Sequence, residues 1–485
     1  MTSPPPMRGQ VMPVNAFRGR ADGARRNLAV VVALSLVAVF QLMAFYPGYV
    51  THDSAYQWWQ ARTGDITTLW PPGMVFLLQA FGKLGNGPTT LFVVNGLIYW
   101  AAAAYIATRQ AGWIASWSCA ALLALAPTVM ICLPHVWSDV TLAVWLFAAS
   151  ALLHFLLSTR LSPWTSRSVL TLACALLVYA VLLRHNAWCA LPPLCWLAAL
   201  QWHRIEHNRL APAISMRLVS LIAMALFATA LTVYALVPRA VSKTHADTWA
   251  ITLIWDLQAL SVASGAMLMP TSISDNATLD DLRQSFDPVN AVTLYVKSTA
   301  RWANATVGLT ATQKSDLLSA WGRAVWHNPR AYVSHRLFVL AKMLGVKRNV
   351  QRDGGADEPG HVQFRDNPSL EFTHPALLRI ARSWIDWLKP QWWTTPIVWM
   401  TIPFFYLIVR LRKAGVRTLR TAVQQPAIAI WASGFMYLIP MALLNPTADL
   451  RYVLWPVLAS VVAALLPQDG QTIPASDSPA RLQTA

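Results

Sequence analysis

The segment 28–46, LAVVVALSLVAVFQLMAFY, decides the fold class of this chain, because it carries no charged residue over about the twenty residues that a helix needs to cross a bilayer. Five arginines precede it: Arg8, Arg18, Arg20, Arg25 and Arg26. The apolar run is longer than the core of a signal peptide, and no small-residue cleavage site stands out. We therefore expect an uncleaved first membrane span that follows a basic tail.

Composition extends this interpretation to the whole chain. Of 485 residues, 55% are hydrophobic and only 12% are charged, whereas about a quarter are charged in a typical soluble domain. Long apolar blocks predict membrane-spanning helices, because the strands of a barrel would show alternation instead. Ten spans are predicted, at roughly 28–46, 88–108, 113–133, 137–158, 167–183, 187–202, 216–237, 393–410, 424–444 and 451–467. The predicted fold class is all-α, a polytopic helical membrane protein.

The distribution of positive charge predicts the orientation of these spans. The formal net charge is +17, and the basic residues cluster in the N-terminal tail and in the short loops 109–112, 159–166, 203–215 and 411–423. Such a bias is typical of cytoplasmic loops. We therefore expect no nucleic-acid partner, and we place the protein in a bacterial inner (cytoplasmic) membrane with both termini in the cytoplasm.

This topology predicts the organisation of the chain. Its parts are a basic tail (1–27), an N-terminal bundle (28–237) with a first outer loop (47–87), a large outer loop (238–392), C-terminal spans (393–467) and a disordered tail (468–485). The apolar stretch 73–84 is too short to cross and is expected at the membrane interface. The stretch 331–344 is predicted as an amphipathic helix on the outer surface, although a re-entrant or crossing segment stays open.

Polar clusters follow several span ends, and this topology places all of them outside. They are Asp53 in the first outer loop, 134–139, 184–186, 255–256 and 445–452. Polar groups gathered at interface depth on one face are what a site facing the periplasm would need. No phosphate-binding glycine loop, dinucleotide fingerprint or HExxH zinc motif is present.

Asp53 has two interpretations. It could cap an interfacial helix that starts at His52-Asp53-Ser54. It could also act as a general base toward an acceptor hydroxyl, or hold a divalent metal that does so. The neighbouring aromatic residues Tyr56, Trp58 and Trp70 favour function, since aromatic faces suit sugar rings as well as interface anchoring.

The other clusters also allow two interpretations. His135 and Asp139 would share one face of a helix and could share a proton or a metal, or simply lie at a span end. Arg184, followed by His185 and Asn186, could bind a phosphate through its planar guanidinium or reach lipid headgroups. Asp449 and Arg451 could bind substrate or form a structural salt bridge.

These blocks together resemble the GT-C glycosyltransferases, the superfamily of the protein O-mannosyltransferases and the lipid A aminoarabinose transferases. The most similar group is a set of bacterial membrane proteins described as DUF6020-like. The resemblance is carried by Tyr46-Pro-Gly, Asp53-Ser54, Trp70-Pro71-Pro72, Ser138-Asp139, Arg184-His185-Asn186, Trp255-Asp256-Leu257, Asn328 to Arg336 and Asp449-Leu-Arg-Tyr452. This chain departs from the commoner superfamily signature, which has Asp-Glu in the first loop and His-Pro-Pro after it.

The resemblance implies a GT-C-like bundle with interfacial helices, a polyprenyl-phosphate sugar donor and an acceptor outside the cytoplasm. It implies catalytic roles for Asp53 and Asp139. Substrate-binding roles are expected for His52, Tyr56, Trp58, Trp70, His135, Arg184, His185, Asn186, Arg336, Asp449, Arg451 and Tyr452. No cofactor is predicted with certainty, and a divalent metal at Asp53 and Asp139 stays open. The alternatives are an O-antigen-type polymerase or ligase, and a non-enzymatic transporter of lipid-linked sugars.

Overall fold

The computed structural model describes residues 14–206, 215–275, 277–294, 301–302, 305, 308–346, 361–413, 415 and 422–466. Several predicted features lie outside these residues: the first part of the basic tail, the tail 468–485, and Arg209, Arg417 and Arg420 of the loops 203–215 and 411–423. Within the described part the chain is helical, apart from one two-residue antiparallel strand pair, Ser274–Asp275 with Arg301–Trp302.

The α-helices of the described part are numbered in chain order. They are α1 Val14–Phe45, α2 His52–Thr63, α3 Gly73–Gly82, α4 Gly87–Thr108, α5 Trp113–Leu125, α6 Pro127–Cys132, α7 Ser138–Ser158, α8 Pro163–Ala180, α9 Leu191–Glu206, α10 Met216–Val241, α11 Thr248–Ser264, α12 Leu279–Ser285, α13 Ala311–His327, α14 Pro329–Met343, α15 Pro375–Leu388, α16 Pro396–Lys413, α17 Pro426–Leu444 and α18 Leu454–Leu465. Short 3₁₀ turns precede α9, α16 and α18 at Ala187–Ala190, Trp392–Thr394 and Leu450–Val453.

All ten predicted spans coincide with helical segments, but only five described helices are long and apolar enough to cross a membrane by length and composition. These five are Asp22–Phe45, Gly87–Thr108, Ser138–Ser158, Met216–Val241 and Pro426–Leu444. The chain therefore has the character of a helical membrane protein, and the number ten stays a prediction.

One predicted span, 113–133, is not a continuous helix. It is divided into α5 and α6, and Ala126 between them takes an extended ψ of 111°. The cause is Pro127, which lacks the N–H that would continue the helix and restricts the residue before it. In contrast, Pro192 and Pro193 lie in the first turn of α9, where proline is tolerated.

The bundle brings two sets of chain ends together. At one end, hereafter the basic end, Arg109 after α4 donates to Thr159 after α7. At the same end, Arg410 of α16 donates to the carbonyl of Ala464 in the last turn of α18 and to that of Leu466 just after it. Three of the loops predicted to be cytoplasmic therefore begin at this end.

At the opposite end, hereafter the first-loop end, the segment after α1 pairs with the segment before α7. Tyr49 N donates to Pro134 O at 2.9 Å, and Val136 N donates to Tyr49 O at 2.9 Å. The start of α3 is joined to the segment after α8 by Gly73 N, which donates to Leu182 O at 2.7 Å. A Cβ on Gly73 would lie 2.5 Å from that same carbonyl, so the close approach needs glycine.

The described part of the predicted large outer loop contains helices α11 to α15. Helices α11, α12 and α13 share a small apolar core of their own. The predicted helix 331–344 is α14, which buries Arg336, Val339 and Met343 while exposing Val333 and Leu337. After residue 346, the described chain resumes at 361 and packs against the segment that leads into α2, where Val362 N donates to Val50 O at 2.8 Å.

The orientation can be tested by labelling single cysteines with a membrane-impermeant maleimide. We expect Thr63→Cys at the first-loop end to be labelled from outside, and Ser162→Cys at the basic end to be labelled only after the membrane is opened. Both positions are exposed, and the native cysteines are buried or half-buried. Labelling of Thr63→Cys only from the cytoplasm would contradict the predicted topology.

Candidate functional site

Five charged side chains from four separate segments meet at the first-loop end of the bundle. Arg451 lies at their centre. Its Nη1 is 2.8 Å from Asp53 Oδ2, and its Nε is 3.1 Å from Asp449 Oδ2 and 3.8 Å from Asp139 Oδ2. Arg184 Nε lies 3.0 Å from Asp139 Oδ1. These five residues are called the carboxylate–arginine cluster below.

The members of the cluster differ in their accessibility. The side chain of Asp53 is 29% exposed, whereas those of Asp139 and Asp449 are 2% and 6% exposed. Arg184 and Arg451 are mostly buried, at 12% and 13%. Asp53 is therefore the carboxylate of the cluster that is accessible from the protein surface. The two buried carboxylates, Asp139 and Asp449, hold the two arginines.

Backbone structure explains how each carboxylate reaches the cluster. Asp53 and Asp139 lie in the first turns of α2 and α7, where the helix dipole favours a negative charge. The start of α2 is closed by Thr51 and Ser54, since Thr51 N donates to Ser54 Oγ at 3.2 Å. Asp53 is therefore not needed as the cap. Asp449 accepts from the backbone N of Arg451 at 3.1 Å, which fixes the turn that presents the guanidinium.

Aromatic rings enclose the two guanidinium groups. The Cζ of Arg184 lies 5.1 Å from the ring centroid of Tyr452, and the Cζ of Arg451 lies 5.2 Å from the same ring and 5.0 Å from that of Trp137. Contacts of this kind stabilise desolvated cations. Trp137 is held in turn, because its Nε1 donates to Thr51 Oγ1 at 2.7 Å. The predicted residue Tyr452 thus belongs to the site as a buried wall.

Burial changes the titration of groups in and beside the cluster. It raises the pKa of Asp449 to about 6, an effect that the nearby Arg451 partly opposes. Arg451 and Asp449 thus form an ion pair that is largely shielded from water. With all five groups ionised, three carboxylates and two guanidiniums leave one formal negative charge.

His135 does not pair with Asp139 as the four-residue spacing suggested. Helix α7 begins at Ser138, so His135 lies before it and the one-face geometry of a helix does not apply. Its ring instead stacks between Tyr49 and Trp137, with centroids 4.8 and 3.9 Å away. Burial lowers the pKa of His135 to about 3, which keeps it neutral.

The residues after Arg184 connect the cluster to the first loop. His185 Nε2 lies 3.2 Å from Leu69 O, and its Nδ1 lies 3.2 Å from the hydroxyl of Tyr234. Burial lowers the pKa of His185 to about 4, so this imidazole is a neutral hydrogen-bonding group. Asn186 is half-buried beside it. These contacts favour a role in positioning Arg184.

A group of rings lies along the exposed side of α2, next to Asp53. The ring of Tyr56 lies 5.6 Å from that of Trp70 and 5.2 Å from that of Phe364, and His52 lies 5.4 Å from Phe364. In contrast, Trp58 is 6% exposed and packs in the main apolar core. Sequence reasoning missed Phe364, because no local motif marks a residue that reaches α2 from about three hundred positions away.

Arg336 belongs to a second, separate cluster. Its guanidinium contacts Asp256, which also accepts from Trp321 Nε1 at 3.0 Å. Arg336 Nη1 donates to Asn445 O at 2.8 Å, and Asn445 closes α17 just before the turn that carries Asp449. Arg336 therefore joins α11 to the turn beside the carboxylate–arginine cluster and does not reach that cluster itself.

The cluster is poorly suited to a metal held between Asp53 and Asp139. The guanidinium of Arg451 already lies between these two carboxylates. In the part of the chain that the structure describes, no group of three His, Cys, Asp or Glu side chains is arranged to hold a metal ion.

No protein-family model, curated protein or solved structure matches this chain.

Proposed function

We propose that this chain is a GT-C-type glycosyltransferase that transfers a sugar from a polyprenyl-phosphate donor to an acceptor outside the cytoplasm. The observation that supports it most is the combination of one accessible carboxylate, Asp53, with two buried arginines, Arg184 and Arg451, at one end of a helical bundle. A phosphate leaving group needs cations, and an acceptor hydroxyl needs a base.

Asp53 would be the catalytic base in this reaction. It would take the proton of the acceptor hydroxyl while the acceptor oxygen forms a bond to the anomeric carbon. The bond between that carbon and the phosphate oxygen would break, and its electron pair would stay on the lipid phosphate. Attack opposite to the leaving group inverts the anomeric configuration. The rings of His52, Tyr56, Trp70 and Phe364 would provide apolar faces for a sugar beside this carboxylate.

Arg184 and Arg451 would stabilise the charge that develops on the leaving phosphate. The ion pair between Arg451 and Asp53 would restrict the motion of both groups. Asp139 and Asp449 are too buried to meet an acceptor, so their proposed role is to position the two arginines. For Asp139 this replaces the catalytic role expected from the sequence with a positioning role.

A transporter of lipid-linked sugars is the less favoured alternative. Transporters usually place their binding groups near mid-membrane, between broken helices. The five candidate spans carry their charged side chains near helix ends, as with Asp139 in α7 and Arg217 and Arg239 in α10. This arrangement favours a reaction at an interface.

Mass spectrometry of cell-envelope glycans in wild-type and deletion strains tests the proposal. We expect one glycan, glycolipid or glycoprotein class in the deletion strain to be lighter by the mass of one sugar. A changed distribution of polymer lengths would favour an O-antigen-type polymerase instead. Identical envelope glycans in both strains would contradict a transferase of either kind.

The phosphate-binding role predicts a defined effect of Arg184→Lys. Lysine keeps the charge but loses the planar fork that binds two phosphate oxygens. We expect the apparent KM for the lipid-phosphate sugar to rise by roughly 10- to 150-fold, since one lost charge-assisted hydrogen bond costs on the order of 1.5–3 kcal/mol. Arg336→Lys is the matched control, because Arg336 is also a buried arginine paired with a buried aspartate. A KM shift as large in Arg336→Lys would show that the effect is structural.

A further inference from the structure

A second candidate ligand site lies away from the carboxylate–arginine cluster. A groove of about 600 Å³ runs between α5, α16 and α18. Its walls are mostly apolar and include Ala115, Ser118, Leu122, Ile402, Tyr406 and Val461. The groove begins near Trp399 and ends at Arg109 and Arg410, at the basic end of the bundle.

Two arginines at the end of this groove have no acidic partner in the part of the chain that the structure describes. Arg109 donates to Thr159 Oγ1, and Arg410 donates to the carbonyls of Ala464 and Leu466. Among the described residues neither arginine forms an ion pair, and both are half-buried. Partly desolvated cations without an anion are costly, so an anionic group at this position would be stabilising.

The dimensions of the groove indicate what carries that anion. From Trp399 to Arg410, α16 rises by about 16 Å at 1.5 Å per residue. This length is close to one leaflet of hydrocarbon, which is about half of a core of roughly 30 Å. An apolar channel one leaflet deep, with two cations at its end, is complementary to an acyl chain joined to a phosphate.

We propose that the groove binds one anionic glycerophospholipid. Its phosphate contacts Arg109 and Arg410, and one acyl chain lies along α5 and α16. The source is the surrounding bilayer, because Phe405, Tyr406 and Val409 expose apolar surface beside the groove. Arg160 and Lys413 add positive charge at the same end and attract anionic headgroups. The site is separated from the carboxylate–arginine cluster by the length of α7, and it does not depend on the proposed transferase activity.

The test uses the purified full-length protein in a neutral detergent. Phosphatidylglycerol or phosphatidylcholine with the same acyl chains is added, and native mass spectrometry counts the lipids that stay bound. We expect one retained phosphatidylglycerol per chain and at least a tenfold lower occupancy in the variant with Arg109→Gln and Arg410→Gln. Arg412→Gln, an exposed arginine at the same end but outside the groove, is the matched control and should retain the lipid.

A second pair of variants tests the groove without changing charge. Ser118→Leu places a larger side chain in the groove and should lower lipid retention about as strongly as the two arginine substitutions. Ile114→Phe also enlarges a side chain of α5, but Ile114 is 85% exposed and lies outside the groove, so this variant should retain the lipid. Equal retention of the two lipids, or phosphatidylglycerol retention unchanged by both Ser118→Leu and the arginine substitutions, would overturn the proposal. This pair keeps the test decisive if loss of Arg410 impairs folding.

Discussion

Asp53→Asn is expected to lower sugar transfer by about 10²–10⁴-fold, the usual range for loss of a general base. The amide keeps the size of the side chain and can still accept a hydrogen bond from Arg451, but it cannot take a proton from an acceptor hydroxyl. The start of α2 should not suffer, because Thr51 and Ser54 close it. Transfer in membranes that contain equal amounts of wild-type and variant protein measures the effect.

Asp366→Asn is the matched control for this substitution. Asp366 also forms an ion pair with an arginine of α2, Arg62, at 3.2 Å, but Asp366 is exposed and lies outside the carboxylate–arginine cluster. We expect wild-type transfer in that variant. Near-normal transfer by Asp53→Asn would remove the catalytic role, and equal losses in both variants would indicate a structural effect on this region.

Removal of Arg451 is expected to have the largest effect on stability. Arg451→Ala leaves Asp53, Asp139 and Asp449 close together without the cation at their centre. Breaking a buried ion pair by removing one partner typically costs about 3–5 kcal/mol, because an uncompensated charge stays buried. Thermal or denaturant unfolding of the purified protein in detergent should therefore show a strongly destabilised variant.

Two further variants show whether charge is the cause. Arg62→Ala removes an arginine from a largely exposed pair and should cost no more than about 1 kcal/mol. Asp449→Asn, added to Arg451→Ala, removes one of the stranded carboxylates and should restore part of the lost stability. If the double variant is no more stable than Arg451→Ala alone, lost packing against Trp137 and Tyr452 accounts for the effect instead.

The sequence predicted the helical segments well because the signal is local. Apolar runs and their flanking prolines indicate α1, α4, α7, α10 and α17 without any information about the helices that pack against them. The division of 113–133 was missed, although Pro127 offered a signal, because the apolar run continues through it. The number of membrane crossings is harder to predict, because the position of short helices such as α5 and α18 in the membrane depends on the helices that pack against them.

The sequence predicted which residues form the candidate site, but it did not predict how most of them pair. The sequence marked Asp53, Asp139, Arg184, Asp449 and Arg451, and it allowed the Asp449–Arg451 contact that the structure contains. It gave no sign that Arg451 also meets Asp53 or that Arg184 meets Asp139, because these contacts join distant segments. The spacing of His135 and Asp139 was misleading for a local reason, since α7 begins only at Ser138.

The most direct measurement of the central claim is the amount of polyprenyl-phosphate sugar in lipid extracts, determined by mass spectrometry. Three strains are compared: the wild type, a deletion strain, and a deletion strain that makes the Asp53→Asn protein at the wild-type level. If the chain consumes such a donor and Asp53 is its base, one lipid-linked sugar should accumulate equally in the last two strains. Unchanged levels of every polyprenyl-phosphate sugar in the deletion strain, or restoration of the wild-type level by Asp53→Asn, would contradict the account.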